Sequence, residues 1–178
     1  INDGQEPIRL SKALSLCLEL PDDQWDLITL SGAWARERTP FRRPLTPGHQ
    51  GVSTQCGASS LQQSPFLALV RRETTEQLGE ALGAALVYSG NFLADASVYQ
   101  NGSTRLSLGI NDKDFSWLLN PGDSFQSPEA VLVYSREGIG GMSRAFHHLW
   151  EDHLLPRRWV RAHRPVLLNS WEAAYFDF

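Results

Sequence analysis

Phe92-Leu-Ala-Asp-Ala-Ser-Val-Tyr-Gln-Asn-Gly-Ser-Thr-Arg-Leu-Ser-Leu-Gly-Ile110 holds two strand-like runs on either side of Asn101-Gly102. Asn-Gly supplies the positive φ angles of a type I′ turn, whose twist matches two flanking antiparallel strands. The spacing therefore predicts a β-hairpin. The same grammar extends outward in both directions. Leu14-Ser-Leu-Cys-Leu-Glu-Leu20 alternates and ends at the turn residues Pro21-Asp22-Asp23. Residues 25–30 form a second short strand, expected to stop at Ser31-Gly32, and Trp34-Ala-Arg-Glu-Arg38 alternates as a strand with one wet face. Downstream of the hairpin, turns at Asn120-Pro-Gly-Asp123 and Ser127-Pro128 precede a closing strand, Ala130-Val-Leu-Val-Tyr134. Short strands at regular turn spacing indicate a mostly β, antiparallel sandwich over residues 1–135.

The period changes after Gly138. Ile139, Met142, Phe146, Leu149, Trp150 and Leu154 share one helical face, and Pro156 ends the pattern. One amphipathic linking helix of about four turns follows from that spacing. A basic connector, Arg157-Arg-Trp-Val-Arg-Ala-His-Arg164, completes a linking region at 136–164. The apolar run Val166-Leu167-Leu168 fits a buried strand, with Asn169-Ser170-Trp171-Glu172 just beyond its carboxyl end. Such strand ends collect substrate-binding residues in α/β barrels, so residues 165–178 read as the start of a barrel whose remainder lies downstream.

Composition narrows the partners. In 178 residues, 42% are hydrophobic and 20% charged, enough for a sizeable core, and the net charge of −4 argues against nucleic acid or an anionic membrane surface. No apolar run approaches a transmembrane length. Cys17 and Cys56 are expected as unpaired, buried or half-buried thiols of a reducing, cytoplasmic compartment.

Several groupings invite chemistry and fall short of it. His147, His148, Glu151, Asp152 and His153 crowd one helix, but without a His-Glu-x-x-His pattern or a cysteine cluster they read as a solvated face, with no metal expected. Arg157, Arg158, Arg161 and Arg164 read as a basic linker packing on a neighbouring domain and not as a phosphate site. Glu172 and Asp177 stand five apart, an odd spacing that puts them on opposite faces of a strand. No carboxylate pair suits glycosidic acid–base chemistry. Trp171 differs in kind. An indole at the mouth of a barrel strand either stacks on the C–H face of a sugar ring or serves as a core aromatic.

Pro165-Val-Leu-Leu-Asn-Ser-Trp-Glu-Ala-Ala-Tyr-Phe-Asp-Phe178 resembles the segment that opens the catalytic barrel in glycoside hydrolase family 36, the bacterial-type α-galactosidases. Upstream blocks resemble the family in the same order: Ser31-Gly-Ala-Trp-Ala-Arg-Glu-Arg38, Gly57-Ala-Ser-Ser60 with Pro65-Phe66, Tyr88-Ser-Gly-Asn-Phe92, Pro128-Glu129 and Gly141-Met-Ser143. Leu61 stands where the family often has His, and Ser64 where it often has Asn.

The resemblance implies an N-terminal β-supersandwich, itself truncated at its start, and only the first strand of a (β/α)8 barrel. It further implies hydrolysis of terminal α-1,6-linked galactose from melibiose- and raffinose-type oligosaccharides with retention. Retention uses two carboxylates about 5–5.5 Å apart, which the resemblance places downstream of Phe178. No catalytic residue, cofactor or metal ligand is expected in this chain, and Trp171 is the one residue the resemblance places at the sugar subsite. The implied partners are a galactose-containing oligosaccharide, the chain's own barrel and further copies in a homotetramer. A free-standing carbohydrate-binding β-sandwich remains the alternative.

Overall fold

The computed structural model describes residues 1–59 and 62–177. Ser60, Leu61 and Phe178 lie outside the described residues, and with them the family departure at Leu61. Five strands form one antiparallel sheet in the order β11 (Glu129–Ser135), β7 (Ala81–Val87), β6 (Gln63–Arg71), β3 (Trp25–Ala33), β4 (Arg36–Pro44). Four form a second, in the order β2 (Leu14–Leu20), β9 (Thr104–Ile110), β8 (Phe92–Val98), β5 (Gly48–Ser53). A small ribbon pairs β1 (Ile8–Leu10) with β10 (Trp117–Leu119). The two larger sheets share one core. Leu27, Leu67, Leu69 and Leu86 come from the first, and Phe92, Ala96, Leu106 and Leu108 from the second. Along β8 every second residue from Phe92 to Val98 enters that core, the period-2 pattern of a strand with two unlike faces. Each fully buried Leu or Phe here contributes about 1.5–3 kcal/mol.

The hairpin of β8 and β9 forms as the sequence predicts, from Phe92↔Ile110 to Val98↔Thr104. Its turn is of another type. The Gly102 N–H donates to the Tyr99 carbonyl at 2.9 Å and the Tyr99 N–H to the Ser103 carbonyl at 2.9 Å. Gly102 has φ +80°, whereas Asn101 is not among the residues with positive φ. That geometry is a β-turn followed by a left-handed glycine, not a two-residue type I′ loop. Asn101 Oδ1 accepts from both the backbone N–H and the hydroxyl of Ser103, at 3.1 and 2.9 Å, which favours the longer loop.

Two strand boundaries also differ from expectation. Gly32 does not stop β3. A Cβ there would come within 2.4 Å of the Arg36 carbonyl oxygen on the facing strand, so glycine lets β3 and β4 close together. Trp34-Ala35 is then the tip of this hairpin, with Ala35 at φ +62° and Trp34 84% exposed. Five alternating residues cannot separate a strand from a two-residue turn with one large side chain on it.

After β11, α1 (Gly138–Leu149) begins against the β6–β7 loop. The N–H groups of Gly138, Ile139 and Gly140 donate to the carbonyls of Gly79, Thr75 and Glu76 at 2.9–3.0 Å. These are the donors that a helix start leaves without intrahelical partners. The helix does not run regularly to Pro156. It passes into a π-helical turn, Trp150–Leu154, whose exit is closed by the Leu155 N–H on the Trp150 carbonyl. Met142 and Phe146 are buried, and His147, His148, Glu151, Asp152 and His153 are exposed, as a solvated face requires.

By internal contacts the chain divides into residues 1–144 and 145–178. The second unit contains two further one-turn helices, α2 (Arg157–Val160) and α3 (Trp171–Ala174). The run Val166-Leu167-Leu168, expected as a strand, is neither strand nor helix and is 86–100% exposed. A strand exists through its ladder, and none of the described residues pairs with this run. The cysteines are unpaired as expected but not buried. Cys17 and Cys56 are both exposed, and Cys17 lies on the opposite face of β2 from Leu16 and Leu18, which pack against the core.

Candidate functional site

Trp171 opens α3, not the end of a strand. Asn169 Oδ1 accepts the Trp171 N–H at 3.0 Å, and the Ser170 carbonyl accepts from Ala173 and Ala174. The turn ends at Tyr175, whose φ of +50° is left-handed, and this reversal brings Phe176 back toward the indole. The ring centroids of Tyr175 and Phe176 lie 5.6 and 5.0 Å from that of Trp171, both edge-on at 70° and 87°. In such edge-to-face contacts the rim of one ring meets the face of the other. Trp171 keeps 49% of its surface exposed, and Glu172 beside it is also exposed. A half-exposed indole among aromatics, with a carboxylate next to it in sequence, has the chemistry to pack on a pyranose ring. Glu172 and Asp177 lie in and beyond this turn, so the strand-face reasoning about them does not apply.

The groups with shifted pKa values lie elsewhere and do structural work. Arg71 donates through Nη1 and Nη2 to the two oxygens of Asp22, at 2.6 and 3.2 Å, and through Nε to Glu80 at 3.1 Å. Its guanidinium sits 3.7 Å from the centroid of the Trp25 ring. The hydrogen bond from Arg71 holds the Asp22 carboxyl below the usual range. Glu80 is also lowered, first by the Tyr134 hydroxyl, which donates to it at 2.6 Å, and then by Arg71. Arg71 itself is raised, principally by Asp22. Carboxyls depressed in the folded state add stability that is complete above their unfolded pKa values and is lost as pH falls through the folded ones. Urea midpoints are therefore expected to decline as pH drops below about 4–5, the unfolded carboxyl range. Arg71→Ala should flatten that decline, and equal pH slopes in the two proteins would count against this origin.

His49, Asp95 and Ser97 form a second polar cluster, on the outer face of the four-stranded sheet. Its geometry excludes a nucleophilic relay. Ser97 Oγ and Asp95 Oδ2 both approach the same ring nitrogen, Nδ1 of His49, at 2.8 and 3.3 Å, while the serine hydroxyl donates to Asp95 at 2.5 Å. A serine nucleophile needs its base on one imidazole nitrogen and the orienting carboxylate on the other. Among the described residues no group of three or more His, Cys, Asp or Glu side chains is arranged to hold a metal ion.

The family model described as glycosyl hydrolase family 36 N-terminal domain matches residues 1–120, and that described as melibiase matches residues 124–178. The chain belongs to glycosyl hydrolase family 36. It is 50% identical over 177 residues to α-galactosidase AgaA of Geobacillus stearothermophilus, a match covering 99% of this chain and 24% of that protein. Identity to the probable α-galactosidase G of Aspergillus terreus is 46%, and to α-galactosidase Mel36A of Lactobacillus acidophilus 43%, with the same coverages. The crystal structure of AgaA superposes with a TM-score of 0.96, covering 99% of this chain and 25% of that one. Variants of AgaA in complex with raffinose and with stachyose superpose at 0.96 and 0.95. The chain spans about a quarter of the length of these family 36 relatives. The antiparallel sandwich is thus the N-terminal domain fold of the family.

Proposed function

We propose that this chain is part of a retaining α-galactosidase that removes terminal α-1,6-linked galactose from melibiose- and raffinose-type oligosaccharides. The observation that carries this is the 50% identity to AgaA across 99% of the chain. In this scheme residues 1–135 are the supersandwich domain, 136–164 the linking helix and connector, and 165–178 the entry to the catalytic barrel. The sandwich supports the barrel and the assembly of copies into a homotetramer, and nucleophile and acid/base belong to the barrel. Trp171 contributes an aromatic surface to the galactose subsite, a role supported by its half-exposed indole beside Tyr175 and Phe176. Two exposed, unpaired cysteines favour a reducing cytoplasm over an oxidising compartment. The net charge of −4 gives no attraction to nucleic acid or anionic lipid.

The test is turnover of an aryl α-galactoside. The enzyme containing this chain is expected to release the aglycone with retained configuration at the sugar, and the isolated 178 residues to release none. Inversion, or specific turnover by the isolated chain, would overturn the assignment.

A further inference from the structure

A groove of about 640 Å³ opens on the sandwich beside β10 and the segment leading into β11. That volume lies within the range of sites that enclose small ligands. Tyr88, Phe115, Trp117 and Phe125 give its lining an aromatic part. Phe125 lies 5.5 Å from Trp117 and 6.1 Å from Phe115 between centroids, inclined by 58° and 61°. This inclined packing fixes the rings against one another without covering the indole, which is 48% exposed. Ser124, Gln126, Ser127 and Glu129 line the same groove. None of these four side chains hydrogen-bonds another described residue, although polar side chains across the rest of the sandwich are extensively paired. Two hydroxyls, an amide and a carboxylate are thus left available beside an open aromatic face.

The charge of the lining narrows the ligand. No Lys, Arg or His lines the groove, and Glu129 is its one carboxylate. Phosphates and carboxylates would find no counter-charge there. A neutral molecule with one flat C–H face and a rim of hydroxyls matches both kinds of lining group, and a pyranose ring is that molecule. We propose that the groove is a second saccharide-binding site of this chain, with Trp117 stacking beneath a hexopyranose ring and Gln126 and Glu129 bonding its hydroxyls. The choice of galactosides as first probes rests on the family reading above, whereas the lining chemistry does not.

The experiment is an NMR titration of the 178-residue chain with raffinose, melibiose and, as a non-galactoside, cellobiose. Resonances of Phe115, Trp117, Phe125 and Glu129 are expected to shift together. Trp117→Ala should weaken binding about tenfold or more, a loss of about 1.4 kcal/mol, because the ring beneath the sugar is removed. Glu129→Gln, at an exposed position, should weaken it severalfold with the thermal midpoint unchanged, and Trp171→Ala should leave these shifts intact. Absence of groove shifts up to the solubility of raffinose would overturn the proposal, as would equal affinity in Trp117→Ala. So would groove shifts that follow protein concentration without sugar, because the groove would then dock protein. Cellobiose binding equal to raffinose would uphold the groove without supporting the galactosidase assignment. Galactoside hydrolysis by the full enzyme, with a silent groove in the chain, would do the reverse.

Discussion

Arg71→Ala is expected to lower the unfolding free energy of this chain by about 2–3 kcal/mol, through loss of charge-assisted hydrogen bonds and of cation–π contact. The side chain joins four partners from two parts of the sequence, residues 22–25 and Glu80. It grips Asp22 with two nitrogens, reaches Glu80 on the following loop, touches the Gln24 carbonyl at 3.3 Å and lies over the buried Trp25. Surface ion pairs contribute little, and Asp22 and Glu80 are each about a third exposed, so the full cost of a buried broken pair is not expected. Bidentate geometry and a side chain only 24% exposed raise the effect above that of an ordinary surface pair. Arg71→Lys separates the contributions. It preserves charge but loses the fork and most of the planar stacking, so it should recover less than half of the loss. Equilibrium urea unfolding measures both variants, and an Arg71→Ala loss below about 0.5 kcal/mol, the usual scatter for surface substitutions, would contradict this account.

In the α-galactosidase proposed above, Trp171→Ala is expected to reduce kcat/KM for melibiose about tenfold or more, the loss of at least about 1.4 kcal/mol of sugar stacking. The thermal midpoint should move little, because Trp171 is half exposed and, among the described residues, its ring contacts are with Tyr175 and Phe176. Trp171→Phe, which keeps a smaller ring face, should retain intermediate activity. If Trp171 served only to hold the turn together, the midpoint would fall and kcat/KM, corrected for folded protein, would not. Unchanged kcat/KM in Trp171→Ala would remove it from the sugar subsite.

The sandwich was legible because its signals are local and repeated. Alternation from Leu14 to Leu20 and through β8 and β9, with turn residues between, corresponds to paired strands at nearly the expected limits. Errors arose where one local signal permits two geometries. Asn101-Gly102 suits a type I′ turn equally well until the Asn101 side chain bonds to Ser103. Gly32 looks like a strand end until the facing Arg36 carbonyl is in place. The aromatic groove had no sequence signature, since Tyr88 and Phe125 come to line one groove only when the segment after β10 leads into β11 beside β7.

The sequence by itself determined the family, the antiparallel β class and Trp171 as the residue to test, because these depend on residue order, short-range alternation and retained blocks. Tertiary structure alone decided that Arg71 binds Asp22 across 49 positions, that Cys17 faces outward, and that four unpaired polar side chains share a groove with Trp117. The physical reason is register. Strand pairing sets which distant side chains share a face, and no local pattern encodes that juxtaposition.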